Sequence, residues 1–158
     1  MEDRVVMGPF FNRGGFQAWF FVCFEDVIVA IPQGFWYAIK SAATGGAMMH
    51  FGAIGGLVQG LADASTKAHE DKRVTKLRKE SKADLLGATG NVVYPVPDIA
   101  SIQVKLAIGS PEVIITPKGK KRCVYGVTKP ADFDGAKKVL TTLYPNLIEK
   151  KGATQPAT

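Results

Sequence analysis

Residues 99–127 read IASIQVKLAIGSPEVIITPKGKKRCVYGV, and the alternation within them decides the fold class. Ile102, Val104, Leu106 and Ile108 recur at every second position, which places them on one face of a strand. Gly109-Ser110-Pro111 turns the chain, and residues 112–116 form a second strand. Pro117-Lys118-Gly119-Lys120-Lys121 is a turn with a glycine for a positive φ. Residues 122–127 then return as a third strand. Short turns between alternating runs predict an antiparallel meander.

Working outward, residues 91–94 read as a further strand, and Pro95 and Pro97 restrict the chain before the meander. After the meander comes a helix. Thr128 is suited to cap it, Pro130 to its first turn, and Asp132 and Asp134 to its positive N-terminal end. Phe133, Ala136, Leu140 and Leu143 follow a 3, 4, 3 spacing that makes one apolar stripe, fit to cover a sheet. Tyr144-Pro145 stops the helix.

The N-terminal part is also strand-like. Val5–Met7 is a short apolar run, which Gly8-Pro9 and Gly14-Gly15 follow as a loop. Phe16–Phe24 and Val27–Ile31 are dense in aromatic and β-branched residues, and Glu25-Asp26 between them marks either a tight acidic turn joining two strands or a bulge in one long strand. Pro32-Gln33-Gly34 ends this region.

Between the two strand-rich parts lies SAATGGAMMHFGAIGGLVQGLA, residues 41–62, with no charged residue between Lys40 and Asp63. Gly52, Gly56 and Gly60 recur every four residues, with Met48 one step earlier. This glycine-zipper-like spacing gives a helix one flat side suited to close backbone approach. Phe51, Ile54, Leu57, Val58 and Leu61 fall on the bulky side. The contact predicted for Met48, Phe51, Gly52, Gly56 and Gly60 is with a second copy, another protein or lipid. The stretch is about long enough for one membrane crossing, which needs roughly 20 residues. A single crossing would place two halves of one sheet on opposite sides of a bilayer, so a re-entrant or surface-lying hairpin, a packed soluble helix or an oligomer contact is expected instead.

Composition then flips. In residues 65–82 seven Lys or Arg face three acids, with Val74, Leu77 and Leu85 as a thin apolar stripe. This predicts a charged helix, solvated or lying on an anionic membrane surface through Lys72, Arg73, Lys76, Arg78 and Lys79. A second basic cluster, Lys118, Lys120, Lys121 and Arg122, sits on the predicted hairpin turn, where it reads either as a further anionic-surface contact or as a solvated hairpin tip. The whole chain carries a formal charge of +6, which favours anionic partners.

Cys23 and Cys123 lie far apart in apolar runs and read as free core thiols. His50 and His69 show no ligand spacing with them, so no metal site is assigned. No nucleophile elbow, phosphate loop or dinucleotide fingerprint occurs. No catalytic residue and no cofactor are therefore assigned. Glu25 and Asp26 lack a partner base or nucleophile and read as a solvated turn. The N-terminus lacks the pattern of a secretory signal, which with the unpaired cysteines gives a cytoplasmic expectation.

Three stretches carry a family resemblance. FVCFEDVIVAIP (21–32), VYPVPDIASIQVKLAIGSPEVIITPKGKKRCVYGV (93–127) and KPADFDGAKKVLTTLYP (129–145) resemble, in order, the early hairpin, later strands and closing helix of a pleckstrin-homology-like domain, of the bacterial and GRAM-like kind. The resemblance implies an α+β fold: a bent antiparallel sheet, or partly open barrel, capped by a C-terminal helix. Residues 1–35 would supply its early strands and 89–147 its later strands and helix. Residues 36–88 would be a helical insertion, and 148–158 a flexible tail. Such domains resemble binding modules rather than enzymes. Many bind phosphoinositides through basic residues in the first strand–strand loop, near which this chain offers Arg13. The implied function is a non-catalytic scaffold at the inner face of a membrane or in a protein assembly, acting through the Gly-rich helix. The alternative is a nucleic-acid-binding protein using the basic helix 67–82, though the aromatics lie away from the basic residues rather than among them.

Overall fold

The computed structural model describes residues 4–12, 17–33, 70–107, 110–127 and 130–149. Among these, seven strands form one open antiparallel sheet, with a helix following the last strand. The strands are β1 (Val5–Asn12), β2 (Ala18–Cys23), β3 (Val27–Pro32), β4 (Val92–Pro95), β5 (Ile99–Ala107), β6 (Ser110–Pro117) and β7 (Cys123–Val127). Their order across the sheet is β4-β3-β2-β1-β7-β6-β5. Two meanders, β1 to β4 and β5 to β7, are thus joined through β1 and β7.

The joint depends on Gly8. Val5–Met7 pair with β2 alone, whereas Phe10 and Phe11 pair with both β2 and β7 and Asn12 with β7. Between them the β1–β2 register shifts at a bulge, which bends the strand and increases its twist. Gly8 there has φ +131°, and a Cβ on it would lie 2.8 Å from the Trp19 carbonyl oxygen. Only glycine fits that backbone. The sequence reading took Gly8-Pro9 as the start of a loop. The strand instead continues through it to Asn12, because glycine and proline are tolerated in strands at bulges.

The two strands β2 and β3 are buried on both faces. Phe21, Cys23, Ile28 and Ala30 face the inner core. Phe20, Val22, Phe24, Val27, Val29 and Ile31 face an outer one. The period-2 alternation of strand side chains produces both sets from one hairpin. The hairpin itself is tight, closed by Phe24 N–H donating to the Val27 carbonyl at 2.9 Å. Hence its sequence reads as an almost unbroken apolar run.

The C-terminal helix (Pro130–Leu143) covers the inner core with Phe133, Ala136, Leu140 and, just past its end, Tyr144. The Tyr144 hydroxyl donates to the Phe24 carbonyl, tying the helix end to the β2–β3 hairpin. Two earlier helices, α1 at residues 70–79 and α2 (Lys82–Gly87), supply the outer layer. Leu77 and Leu85 are fully buried there, with Val74 packed beside them. The stripe read from the sequence is therefore a docking face, and the C-terminal helix becomes α3 in chain order. None of the described helices is long and apolar enough to cross a membrane.

The β5 face expected to be apolar throughout is covered only in part. Ile102 is buried and Val104 packs against the core, but Leu106 is 74 % exposed. The strand runs past the covered core. Its outer edge is met by the chain after α3, where Ile102 exchanges backbone hydrogen bonds with Leu147 and Glu149. Ile148 and Glu149, assigned from the sequence to the tail, thus close part of a sheet edge.

Leu77→Ala should destabilise the domain by about 2–5 kcal/mol, the range for truncating a fully buried leucine. Lys72→Ala, on the exposed side of the same helix, should change stability by less than about 0.5 kcal/mol. Urea unfolding followed by circular dichroism measures both. Equal effects would mean that α1 does not dock on the sheet.

Candidate functional site

The connection from β3 to β4 leaves the sheet at Gln33 and is described again from residue 70. The two ends meet. Arg73 Nε donates to the buried Gln33 side-chain oxygen at 3.1 Å. From there α1 runs back across the outer face of the sheet to the opposite end of β3. Lys82 Nζ closes that end with two contacts to the Asp26 carboxylate, at 2.8 and 2.9 Å. Ser81 caps α2, accepting from the Asp84 backbone N–H at 3.1 Å. Two members of the basic run therefore fix the helices to the sheet.

The remaining basic residues divide by face. Lys72, Lys76, Arg78 and Lys79 are exposed. Lys72, Lys76 and Lys79, spaced 4 and 3, share one side of α1. Lys76 makes a loose pair with Glu80 at 3.8 Å and keeps two thirds of its side chain exposed, so the pair restrains it little. Arg73 departs from the expected contact set: its guanidinium serves Gln33 and lies 3.9 Å from Glu80. Arg4 also turns inward, with its guanidinium over the Phe24 ring and a hydrogen bond to the Glu80 carbonyl.

The second basic cluster sits elsewhere. Lys118, Lys120, Lys121 and Arg122 are exposed on the β6–β7 turn. Lys118 N–H donates to the Asp98 carbonyl, and Val96 N–H donates to the Asp26 carbonyl. These bonds link the base of the turn to the Asp26 end of β3, away from Gln33. The Gly-rich positions Met48, Phe51, Gly52, Gly56 and Gly60 lie outside the described residues, as do Arg13, His50 and His69.

A half-open cleft of about 420 Å³ lies between β4 and the start of β7, lined by Trp19, Val92, Tyr94, Arg122 and residues 123–125. The Tyr94 and Tyr125 hydroxyls share a hydrogen bond of 2.7 Å. Burial raises both phenols, that of Tyr125 to about 12, so both stay neutral at ordinary pH. Sequence reading missed this site. Its residues come from three distant strands, and none belongs to a recognisable motif.

No family model, curated protein or solved structure matches this chain.

The two cysteines differ. Cys23 is fully buried, and desolvation pushes its thiol up to about 12 despite a hydrogen bond with Tyr144. Cys123 is half-buried on β7. Since the thiolate is the reactive form, a thiol reagent at pH 8 should modify one cysteine quickly in the native chain. The second should react only on unfolding. Mass spectrometry of the modified peptides should place the fast one at Cys123, and fast labelling of Cys23 would contradict its burial.

Asp26 also titrates with a consequence. The hydrogen bond from Lys82 holds its carboxyl below the ordinary value of 3.8. A lowered folded value means that its contribution to stability is present above pH 3.8 and is lost as pH falls through the folded value. Asp26→Asn should therefore flatten the acid limb of the stability profile below pH 3.8 and leave its shape near pH 7 unchanged. Unfolding midpoints across that range test this, and an unchanged acid limb would show that the pair makes no contribution.

Proposed function

We propose that the chain is a non-catalytic binding module of pleckstrin-homology-like type that holds its Gly-rich segment against an anionic membrane surface and self-associates there. The strand order, the open sheet and the helix packed after β7 support the family part of this reading. The observation that carries the functional part is the Arg73–Gln33 contact. It brings together Gln33 and Arg73, the described residues on either side of the uncharged stretch, which supports a contact made from one side of the domain. Crossing a bilayer and coming back would take roughly 40 residues. The uncharged stretch 41–62 is too short for that, and it is suited to contact from one side.

Electrostatics support the same orientation. The exposed Lys72, Lys76 and Lys79 lie on the helix that follows the segment. A lysine near an anionic surface contributes about 1 kcal/mol of attraction that fades within a Debye length. Gly52, Gly56 and Gly60 provide the close approach needed for a second copy.

The test is flotation with vesicles of neutral and anionic lipid, together with light scattering after size exclusion. The chain should float with anionic vesicles at low salt, release as salt rises, and associate on the vesicles. Replacing residues 41–64 by a short Gly/Ser linker should leave a folded monomer that stays in solution. Lys72, Lys76 and Lys79 changed together to Glu should lose flotation while keeping the native circular dichroism. A full-length chain that remains monomeric and unbound would overturn the proposal. Salt-sensitive retardation of DNA or RNA under the same conditions would replace it by the nucleic-acid reading.

A further inference from the structure

We infer that the cleft between β4 and β7 is a binding site for a small aromatic carboxylate. Its floor and walls are apolar: Trp19, Tyr94 and Tyr125 offer aromatic surface, and Val92 and Val124 flank them. At about 420 Å³ it falls within the usual size of small-molecule sites, which combine an apolar lining with a few polar groups. Arg122 is that polar group. It is exposed, and it makes no ion pair with any of the described residues. A cation on an aromatic-lined cleft selects an anion with an apolar body and rejects a cationic one. Its planar guanidinium suits the two oxygens of a carboxylate.

The floor is already set: the Tyr94 and Tyr125 hydroxyls share one hydrogen bond, and the Trp19 and Tyr125 rings meet edge to face at 6.0 Å. Aromatic rings prefer such edge and offset contacts, and a third ring can add to them. This inference does not rest on the membrane contact proposed above.

The experiment is an amide-resolved NMR titration of the full chain with 2-naphthoate, and with 2-naphthalenemethanol as its uncharged analogue. Naphthoate should give saturable shifts centred on Val92, Tyr94 and residues 122–125. The alcohol should bind at the same amides about tenfold more weakly, and Arg122→Ala should weaken naphthoate by about tenfold, the scale of one charge-assisted contact. Lys120→Ala, which removes a neighbouring charge outside the cleft, should bind naphthoate as the native chain does. Absence of saturable shifts at millimolar naphthoate, shifts centred elsewhere, or undiminished binding by Arg122→Ala would overturn the assignment.

Discussion

The rest of the structure depends on a hairpin that is apolar on both faces. A two-stranded hairpin with one wet face needs a single covering layer. β2 and β3 need two, because Phe21, Cys23, Ile28 and Ala30 point one way while Phe20, Val22, Phe24, Val29 and Ile31 point the other. Burying a large apolar side chain contributes about 1.5–3 kcal/mol, so leaving either set in water would cost most of the stability of a small domain. The inner layer comes from the other strands and α3. The outer layer comes from α1 and α2, inside the connection that a reader of the sequence would set aside as an insertion. That connection is therefore part of the core at one end.

This arrangement explains how a strongly charged helix can be structural. Leu77 and Leu85 carry the burial, and Arg73 and Lys82 act as fasteners at the two ends of β3. Each fastener spends its charge locally, which lowers the number of cations available to an external partner. The exposed set narrows to the opposite side of α1. The Arg73 fastener also holds the first described helix after Gln33 against the end of β3 from which the chain departs.

The bend in β1 has a parallel role on the other side of the molecule. Gly8 allows one strand to belong to two meanders. The sheet curves around α3 but does not close, and β4 is left facing the start of β7. The aromatic cleft is the gap that remains between them. It follows from the bend and the strand order, and its lining comes from three stretches far apart in the sequence.

Much of the fold was legible in the residues. The alternation from Ile99 onward, the Gly119 turn, the acidic turn at Glu25-Asp26 and the 3, 4, 3 stripe of α3 depend on local periods and turn chemistry, which short stretches specify by themselves. The extent of β1 was not legible, because a Gly-Pro pair marks a loop in most contexts and a bulge only where a partner strand holds it. Nor could the sequence separate Arg73 and Lys82 from Lys72 and Lys79: all four are cations on one run, and only the position of Gln33 and Asp26 in space distinguishes them. The sequence by itself determined the antiparallel class and most of the described strands and the C-terminal helix, since these follow from near-neighbour sterics and hydrophobic period. The tertiary structure alone decided which charges are fasteners, which face of α1 is free, and that Trp19, Tyr94 and Arg122 share a cleft, because those depend on contacts between residues tens of positions apart.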